Sequence, residues 1–222
     1  RQLSPFGSPE RRALHGNARL DRVYNNFVYD YLYPDPASVL AFIENHDTDR
    51  FLGEGENLNM LKQASTLLLT TRRIPQLYYG TEVMMNGVKS KSDGYVRKDF
   101  PGGWANDKEN ALTPEGRTKL QNESYNFYRN LLNWRKGNDV IAKGSMKQFM
   151  VQHGVYAYAR EYNGKTVFVL LNGTDKEVKL PLKYYAEVLK DKTQGKDVIS
   201  GKMIMLNEEL TMAPRQSMVI EL

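Results

Sequence analysis

A block of polar side chains directly follows an apolar segment near residue 40. Residues 39–43 are Val, Leu, Ala, Phe and Ile, and the polar block at residues 44–50 includes His46, Asp47 and Asp49. The unbroken apolar run is typical of a strand buried on both faces, as in a parallel sheet. α/β barrels keep their active sites at the C-terminal ends of such strands, so residues 44–50 are the first place to look for an active site. The alternatives are a loop with capping side chains and a metal site, although a metal site requires a second, spaced cluster of ligands.

The elements that position these side chains alternate between helix and strand. Apolar residues at helical spacing predict helices over 20–32, 58–73 and 113–136, the last beginning at Thr113 with Pro114 in its first turn. Residues 74–79 read as a second buried strand. Alternation of this kind predicts an α/β fold with a parallel sheet and crossover helices. Residues 80–112 form a long, polar, glycine-rich loop, and loops of that length are usually functional or disordered.

The pattern changes from helical to alternating near Gly137. Residues 155–159 and 167–171 form a predicted hairpin across Asn163-Gly164, and further short strands follow as far as residues 217–220. Short strands separated by turn residues predict an all-β antiparallel sandwich here. We therefore divide the chain into 1–137, an α/β part, and 138–222, the sandwich.

Composition excludes several classes of protein. The formal net charge is +5, but the positive residues are spread along the chain, and nucleic-acid binding needs a clustered positive face. Cysteine is absent, so there are no disulfides and no thiolate chemistry. No apolar run is long enough to insert in a membrane, and the first residues do not resemble a signal peptide. Because the sequence does not begin with Met, we expect it to be part of a longer protein.

The residues after the first strand resemble a known motif. Residues 42–47, ending in Asn45, His46 and Asp47, resemble the segment that ends strand seven in the α-amylase family, glycoside hydrolase family 13. Asp49-Arg50 is similar to its neopullulanase and cyclomaltodextrinase branch. Residues 74–82 resemble the eighth barrel strand, and residues 99–104 resemble loops of Bacteroides-type neopullulanases. The resemblance implies the C-terminal part of a (β/α)8 TIM barrel over 1–137, from about helix six to helix eight, followed by the family's antiparallel β-sandwich over 138–222.

The resemblance also implies roles for individual residues. Asp47 matches the family's third catalytic carboxylate, which hydrogen-bonds sugar hydroxyls and favours the oxocarbenium-like transition state. His46 would donate to the same sugar, and Asp93 with Arg97 would bind a sugar deeper in the cleft. Asp93 and Arg97 also fit an ordinary exposed ion pair. Glu44 stands where many relatives have Asp, and it is given no role. The aromatic candidates for stacking on sugars are Tyr78, Tyr95 and Trp104, and the sequence does not select among them.

Two further carboxylates are required for catalysis. A retaining glycosidase uses a nucleophile and an acid/base about 5 Å apart, and the family places both upstream of this chain. Arg19-Leu20-Asp21 imitates the motif around the nucleophile. One barrel unit takes roughly 30 residues, and Asp21 lies less than one unit before Asp47. Asp21 is therefore predicted to be an exposed helix residue, and the chain alone is expected to be inactive.

The resemblance implies a parent enzyme that hydrolyses α-glucosidic bonds in starch, pullulan, maltooligosaccharides or cyclodextrins. Its ligand would be an α-glucan oligosaccharide, with no cofactor or metal in this chain, calcium in the parent enzyme, and a periplasmic location. The edges of an incomplete barrel predict self-association. Two alternatives remain open: a non-catalytic carbohydrate-binding or interaction module, and a catalytically silent relative that acts as an interaction subunit.

Overall fold

The computed structural model describes residues 20–222, and Arg19 lies outside this range. The first part of the described chain is mainly helical. Asp21 lies in the first turn of the first helix, as predicted, and is half-buried rather than exposed. The helices and short strands, in chain order, are α1 (Leu20–Val28), β1 (Leu40–Ala41), α2 (Leu58–Thr70), β2 (Ile74–Pro75), α3 (Asp93–Val96), α4 (Lys119–Arg135) and α5 (Asp139–Lys143). Short 3-10 helices cover Tyr29–Leu32, Pro36–Ser38 and Thr81–Val83.

Strands β1 and β2 form a parallel pair, as the alternating pattern predicts. Leu40 pairs with Ile74, and the Gln76 amide donates to the Ala41 carbonyl at 2.8 Å. Both strands are shorter than the predicted 39–43 and 74–79. Leu40 is 42% exposed and Ile74 50%, so the expected burial on both faces is wrong here. The reason is that, within residues 20–222, each strand has only the other as a strand neighbour.

Helix α4 begins later than the sequence predicts. The cap is Thr118, whose hydroxyl accepts from the Gln121 amide, while the Gln121 side chain accepts from the Thr118 amide. Thr113 instead closes a turn, because its carbonyl accepts from the amides of Gly116 and Arg117. A Cβ at Gly116 would lie 1.9 Å from a backbone oxygen, so only glycine fits this turn.

The second part of the described chain is antiparallel sheet, as predicted. Its strands are β3 (Ser145–Gln152), β4 (Val155–Tyr162), β5 (Lys165–Asn172), β6 (Val178–Pro181), β7 (Gln194–Asp197), β8 (Met203–Met205), β9 (Glu209–Met212) and β10 (Ser217–Glu221). A 3-10 helix, Leu182–Tyr185, and helix α6, Ala186–Leu189, follow β6. The larger sheet has the order β3-β4-β5-β10-β7-β8, and β6 pairs with β9 in a smaller one. The predicted hairpin is β4–β5, with Asn163 and Gly164 both at positive φ, as a tight turn requires.

The six-stranded sheet is covered on both faces. One face packs against the helices, in a core that joins Leu61, Leu68 and Leu131 to Tyr158 and Val169. The opposite face packs against the smaller sheet and the helical segment at 182–189. No helix among the described residues is long and apolar enough to cross a membrane. The helices and the antiparallel sheet therefore share one continuous hydrophobic core.

Candidate functional site

The segment after β1 forms a tight turn that presents His46 and Asp47 to solvent. The Asn45 side chain accepts from the Asp47 amide at 2.9 Å, and the Asn45 amide donates to the Thr48 hydroxyl at 3.1 Å. Asn side chains commonly close turns in this way. The side chains of His46 and Asp47 are 60% and 62% exposed. Asn45 therefore organises the loop, and the two residues after it are free to contact a ligand.

A second segment, beyond β2, supplies Asp93 and Arg97. These residues begin and follow the short helix α3, which is capped by the Ser92 hydroxyl accepting from the Tyr95 amide at 3.1 Å. Asp93 also lies 3.2 Å from the ammonium of Lys89. One helical turn between Asp93 and Arg97 places both side chains on the same side of α3.

The structure brings all four predicted site residues together. One terminal nitrogen of Arg97, Nη2, lies 3.2 Å from Asp47 Oδ1 and 3.3 Å from Asp93 Oδ2, while its Nε donates to the His46 carbonyl at 2.9 Å. His46 Nε2 lies 3.2 Å from Asp47 Oδ2. Arg97 therefore bridges the loops that follow the two parallel strands, and each carboxylate retains free lone pairs for hydroxyl donors.

A buried ion pair lies beneath this cluster. Arg50 and Glu44 are 0% and 2% exposed, and their side chains meet at 3.1 Å. Arg50 also donates to the carbonyls of Val96, at 3.0 Å, and Tyr79, at 2.6 Å. Glu44 accepts from the Thr81 hydroxyl at 2.6 Å and from the Phe51 amide. This pair joins the segment after β1 to the segments at 79–81 and 96, which carry the rest of the site.

No role was predicted for Glu44, and Arg50 was used only, with Asp49, as a mark of one branch of the family, so their contact was not predicted. Charged residues six apart have no local spacing rule that predicts contact, so no sequence signal identifies this pair. Asp49 is a structural residue as well, because its Oδ1 accepts from the Lys89 amide at 2.7 Å. Within residues 20–222, no group of three or more His, Asp or Glu side chains is arranged to hold a metal ion.

The three aromatic candidates differ in their surroundings. The guanidinium of Arg50 lies over the Tyr78 ring at 4.0 Å. Burial and, to a smaller extent, Tyr79 raise the pKa of Tyr78, while the charges of Arg50 and Arg97 act to lower it. Lys91 and Lys98 lie over the Tyr95 ring at 4.6 and 4.1 Å. Trp104 is 67% exposed. Tyr78 is therefore the aromatic residue whose surroundings are shared with the cluster.

Comparison with known proteins identifies the family. Residues 146–221 match the family model of the cyclo-malto-dextrinase C-terminal domain. An α-amylase of Niallia circulans is 28% identical over 196 residues, covering 85% of this chain and 33% of the relative. A cyclomaltodextrin glucanotransferase of a Bacillus strain is 29% identical over 214 residues, covering 88% of this chain and 26% of the relative. These relatives are glycoside hydrolases of the α-amylase family, the family that residues 42–47 resemble. The family recognised from the residues around Asp47 is thus confirmed.

The solved structures agree with this assignment at the level of fold. The α-amylase of Geobacillus thermoleovorans, solved with acarbose, has a TM-score of 0.67 at 20% identity and covers 91% of this chain and 43% of that one. The chain spans about a quarter to a third of the length of its α-amylase family relatives.

Proposed function

We propose that this chain supplies part of the active site of a retaining α-glucan hydrolase. The observation that carries the proposal is the convergence of His46, Asp47, Asp93 and Arg97 from two loops at the ends of neighbouring parallel strands. α/β barrels place catalytic residues from several strands at this end. The substrates would be α-glucosidic bonds in starch, pullulan, maltooligosaccharides or cyclodextrins.

Asp47 would act on the sugar that reacts. Its two oxygens are oriented by Arg97 and His46, and their remaining lone pairs can accept hydrogen bonds from sugar hydroxyls. Hydrogen bonds that strengthen as the ring flattens stabilise the oxocarbenium-like transition state. Arg97 and Asp93 offer neighbouring donors and acceptors, which suits recognition of an adjacent sugar unit.

The nucleophile and the acid/base would come from elsewhere in the complete protein. The two carboxylates of the cluster, Asp47 and Asp93, share one nitrogen of Arg97, and Glu44 is committed to Arg50. We therefore assign β1 and β2 to strands seven and eight of a (β/α)8 barrel, whose other strands would cover the exposed side chains of Leu40 and Ile74. By itself, the chain would release no reducing sugar from maltooligosaccharides above an Asp47→Ala control.

The test is a kinetic comparison in the complete protein. Asp47→Asn should lower kcat and kcat/KM together, by at least about 100-fold, because it weakens contacts made in the transition state. Arg97→Ala should mainly raise KM for long maltooligosaccharides. Asp191→Asn, an exposed carboxylate in the antiparallel part, is the matched control. Normal kinetics in Asp47→Asn would refute the assignment and favour a non-catalytic carbohydrate-binding or interaction module.

The finer assignment is to a neopullulanase-like enzyme of Bacteroides type in the periplasm. It is supported by the resemblance of residues 99–104 and of Asp49-Arg50 to that branch. Cell fractionation tests the location, and hydrolysis of pullulan compared with cyclodextrins and starch tests the branch. Recovery of the protein in the cytoplasm would refute the first part, and failure to hydrolyse pullulan or cyclodextrins would refute the second.

A further inference from the structure

A cavity of about 570 Å³ lies at the opposite end of the strands from the Asp47 cluster. It opens where β2 begins, at Ile74 and Pro75, and helix α5 and the start of β3 form its other side. The cavity is lined by residues that precede β1 and begin β2, so it lies at the amino-terminal ends of these parallel strands. Asp47 follows the carboxyl-terminal end of β1. The charged residues that line it are Asp35, Arg72, Arg73, Arg135, Lys143 and Arg160.

The positive charge of this cavity is only partly neutralised. Asp30 accepts from both Arg72, at 2.7 Å, and Arg73. Lys143 pairs with Asp139 at 3.0 Å. Asp35 lies at the cavity, but its carboxylate accepts from residues 37 and 38 of its own turn. These contacts do not involve the two other arginines of the cavity, Arg135 and Arg160.

Arg160 and Arg135 have no carboxylate partner among residues 20–222. Arg160 is 1% exposed and donates only to carbonyls, those of Thr70, Ile141, Gly144 and Ser145. Arg135 donates from Nε to the Leu69 carbonyl at 2.9 Å. Burial, with the charges of Arg72 and Arg135 acting in the same direction, lowers the pKa of Arg160 to about 10. Arg72, Arg135 and Arg160 thus bring three guanidinium groups to one cavity.

Several donors remain available in the cavity. The Nη atoms of Arg135 and the Nη1 atom of Arg72 have no acceptor in the described part of the chain. Guanidinium groups present paired N–H donors that match the oxygens of a phosphate group. An anion held there would neutralise charge that the protein leaves uncompensated. The volume exceeds that of a single ion and falls in the range of small-molecule sites.

We propose that this cavity binds a phosphate group, either inorganic phosphate or the phosphate of a small sugar ester, through Arg135 and Arg72. The site is separate from the glucan cluster, and Arg135 and Arg72 take no part in the proposed hydrolase function. Phosphate binding stabilises the folded protein, because the ligand binds the folded state and not the unfolded one.

The experiment is calorimetric titration of the protein with inorganic phosphate and with glucose 6-phosphate at constant ionic strength, together with thermal unfolding. Arg135→Gln should weaken binding at least tenfold and remove the thermal stabilisation. Arg129→Gln is the matched control, because it removes the same charge from an exposed position on the same helix. The control should bind within twofold of the parent protein.

Arg135→Lys is a second variant that keeps the positive charge but removes the paired N–H donors of the guanidinium group, and it should bind phosphate with intermediate affinity. Equal affinity for the two ligands identifies the phosphate group alone as the ligand, and tighter binding of the ester identifies a phosphorylated sugar. Absence of saturable binding for both ligands, or equal weakening in Arg129→Gln and Arg135→Gln, would overturn the proposal.

Discussion

The buried pair Glu44–Arg50 gives the sharpest test of how the site is held. Replacing Arg50 with Met keeps much of the side-chain length but removes the contacts with Glu44, Val96 and Tyr79. It leaves the Glu44 carboxylate buried and without its cation. Removing one partner of a buried ion pair costs about 3–5 kcal/mol. For a chain of this size, each kcal/mol lowers Tm by about 2–4 °C, so a decrease of at least about 6 °C is expected.

Urea unfolding followed by circular dichroism measures the free energy directly. Arg97→Met is the control, because Arg97 also contacts two carboxylates but is 40% exposed, and exposed pairs contribute about 0–1 kcal/mol. The double variant Glu44→Gln/Arg50→Met should cost less than the sum of its single variants, with a coupling of about 1–3 kcal/mol. If Arg50→Met costs no more than Arg97→Met, the pair does not hold these segments together.

Three further predictions test other parts of the structure. Thr118→Ala should destabilise the protein by about 1 kcal/mol in urea unfolding, and Thr113→Ala by less, because only Thr118 caps helix α4. Burial raises the pKa of Tyr185 in the folded protein to about 12. Above pH 10 the unfolded state therefore binds fewer protons than the folded state, and stability should fall by up to about 1.4 kcal/mol per pH unit for each buried tyrosine. The part of the tyrosinate absorbance that comes from the buried tyrosines should rise with unfolding, and its rise before unfolding would contradict this; the other buried tyrosines are Tyr128, Tyr156 and Tyr158. The chain should self-associate in size-exclusion chromatography through the exposed face at β1 and β2, and Leu40→Lys should reduce this self-association. A monodisperse parent chain would show that this face does not mediate association.

Features set by neighbouring residues were predicted well from the sequence. The hairpin turn at Asn163-Gly164 is an example, because the positive φ angles of a tight turn restrict the residue types that fit. The prediction that helix α4 begins at Thr113 was wrong, because Thr118 is its cap. The position of the cap depends on the turn that Gly116 makes against residue 110, a contact that local propensity does not describe.

Features that depend on distant parts of the chain were not predicted. The family motif identified Asp47, His46, Asp93 and Arg97, and the structure places them together, but their catalytic roles remain a prediction. Arg50 is buried by contacts with Tyr79 and Val96, and Arg160 by its contact with Thr70, all of them distant in sequence. Composition does not predict such tertiary contacts, because charged residues of the same types are ordinary surface residues elsewhere in the chain.

Strand β10 lies between β5 and β7 in the middle of the larger sheet, although it is formed by residues 217–221. During synthesis, β3, β4 and β5 leave the ribosome as a meander whose remaining edge has no neighbour until β10 emerges. Leu61 and Leu68 of helix α2 share a core with Val219 of β10 as well as with residues of this meander. Completion of the helical layer thus waits for a segment made about 150 residues later, a delay of about 10 s at typical translation rates. Over that interval the nascent chain presents an open strand edge, so a chaperone that covers such edges would have its largest effect before residue 217 is made.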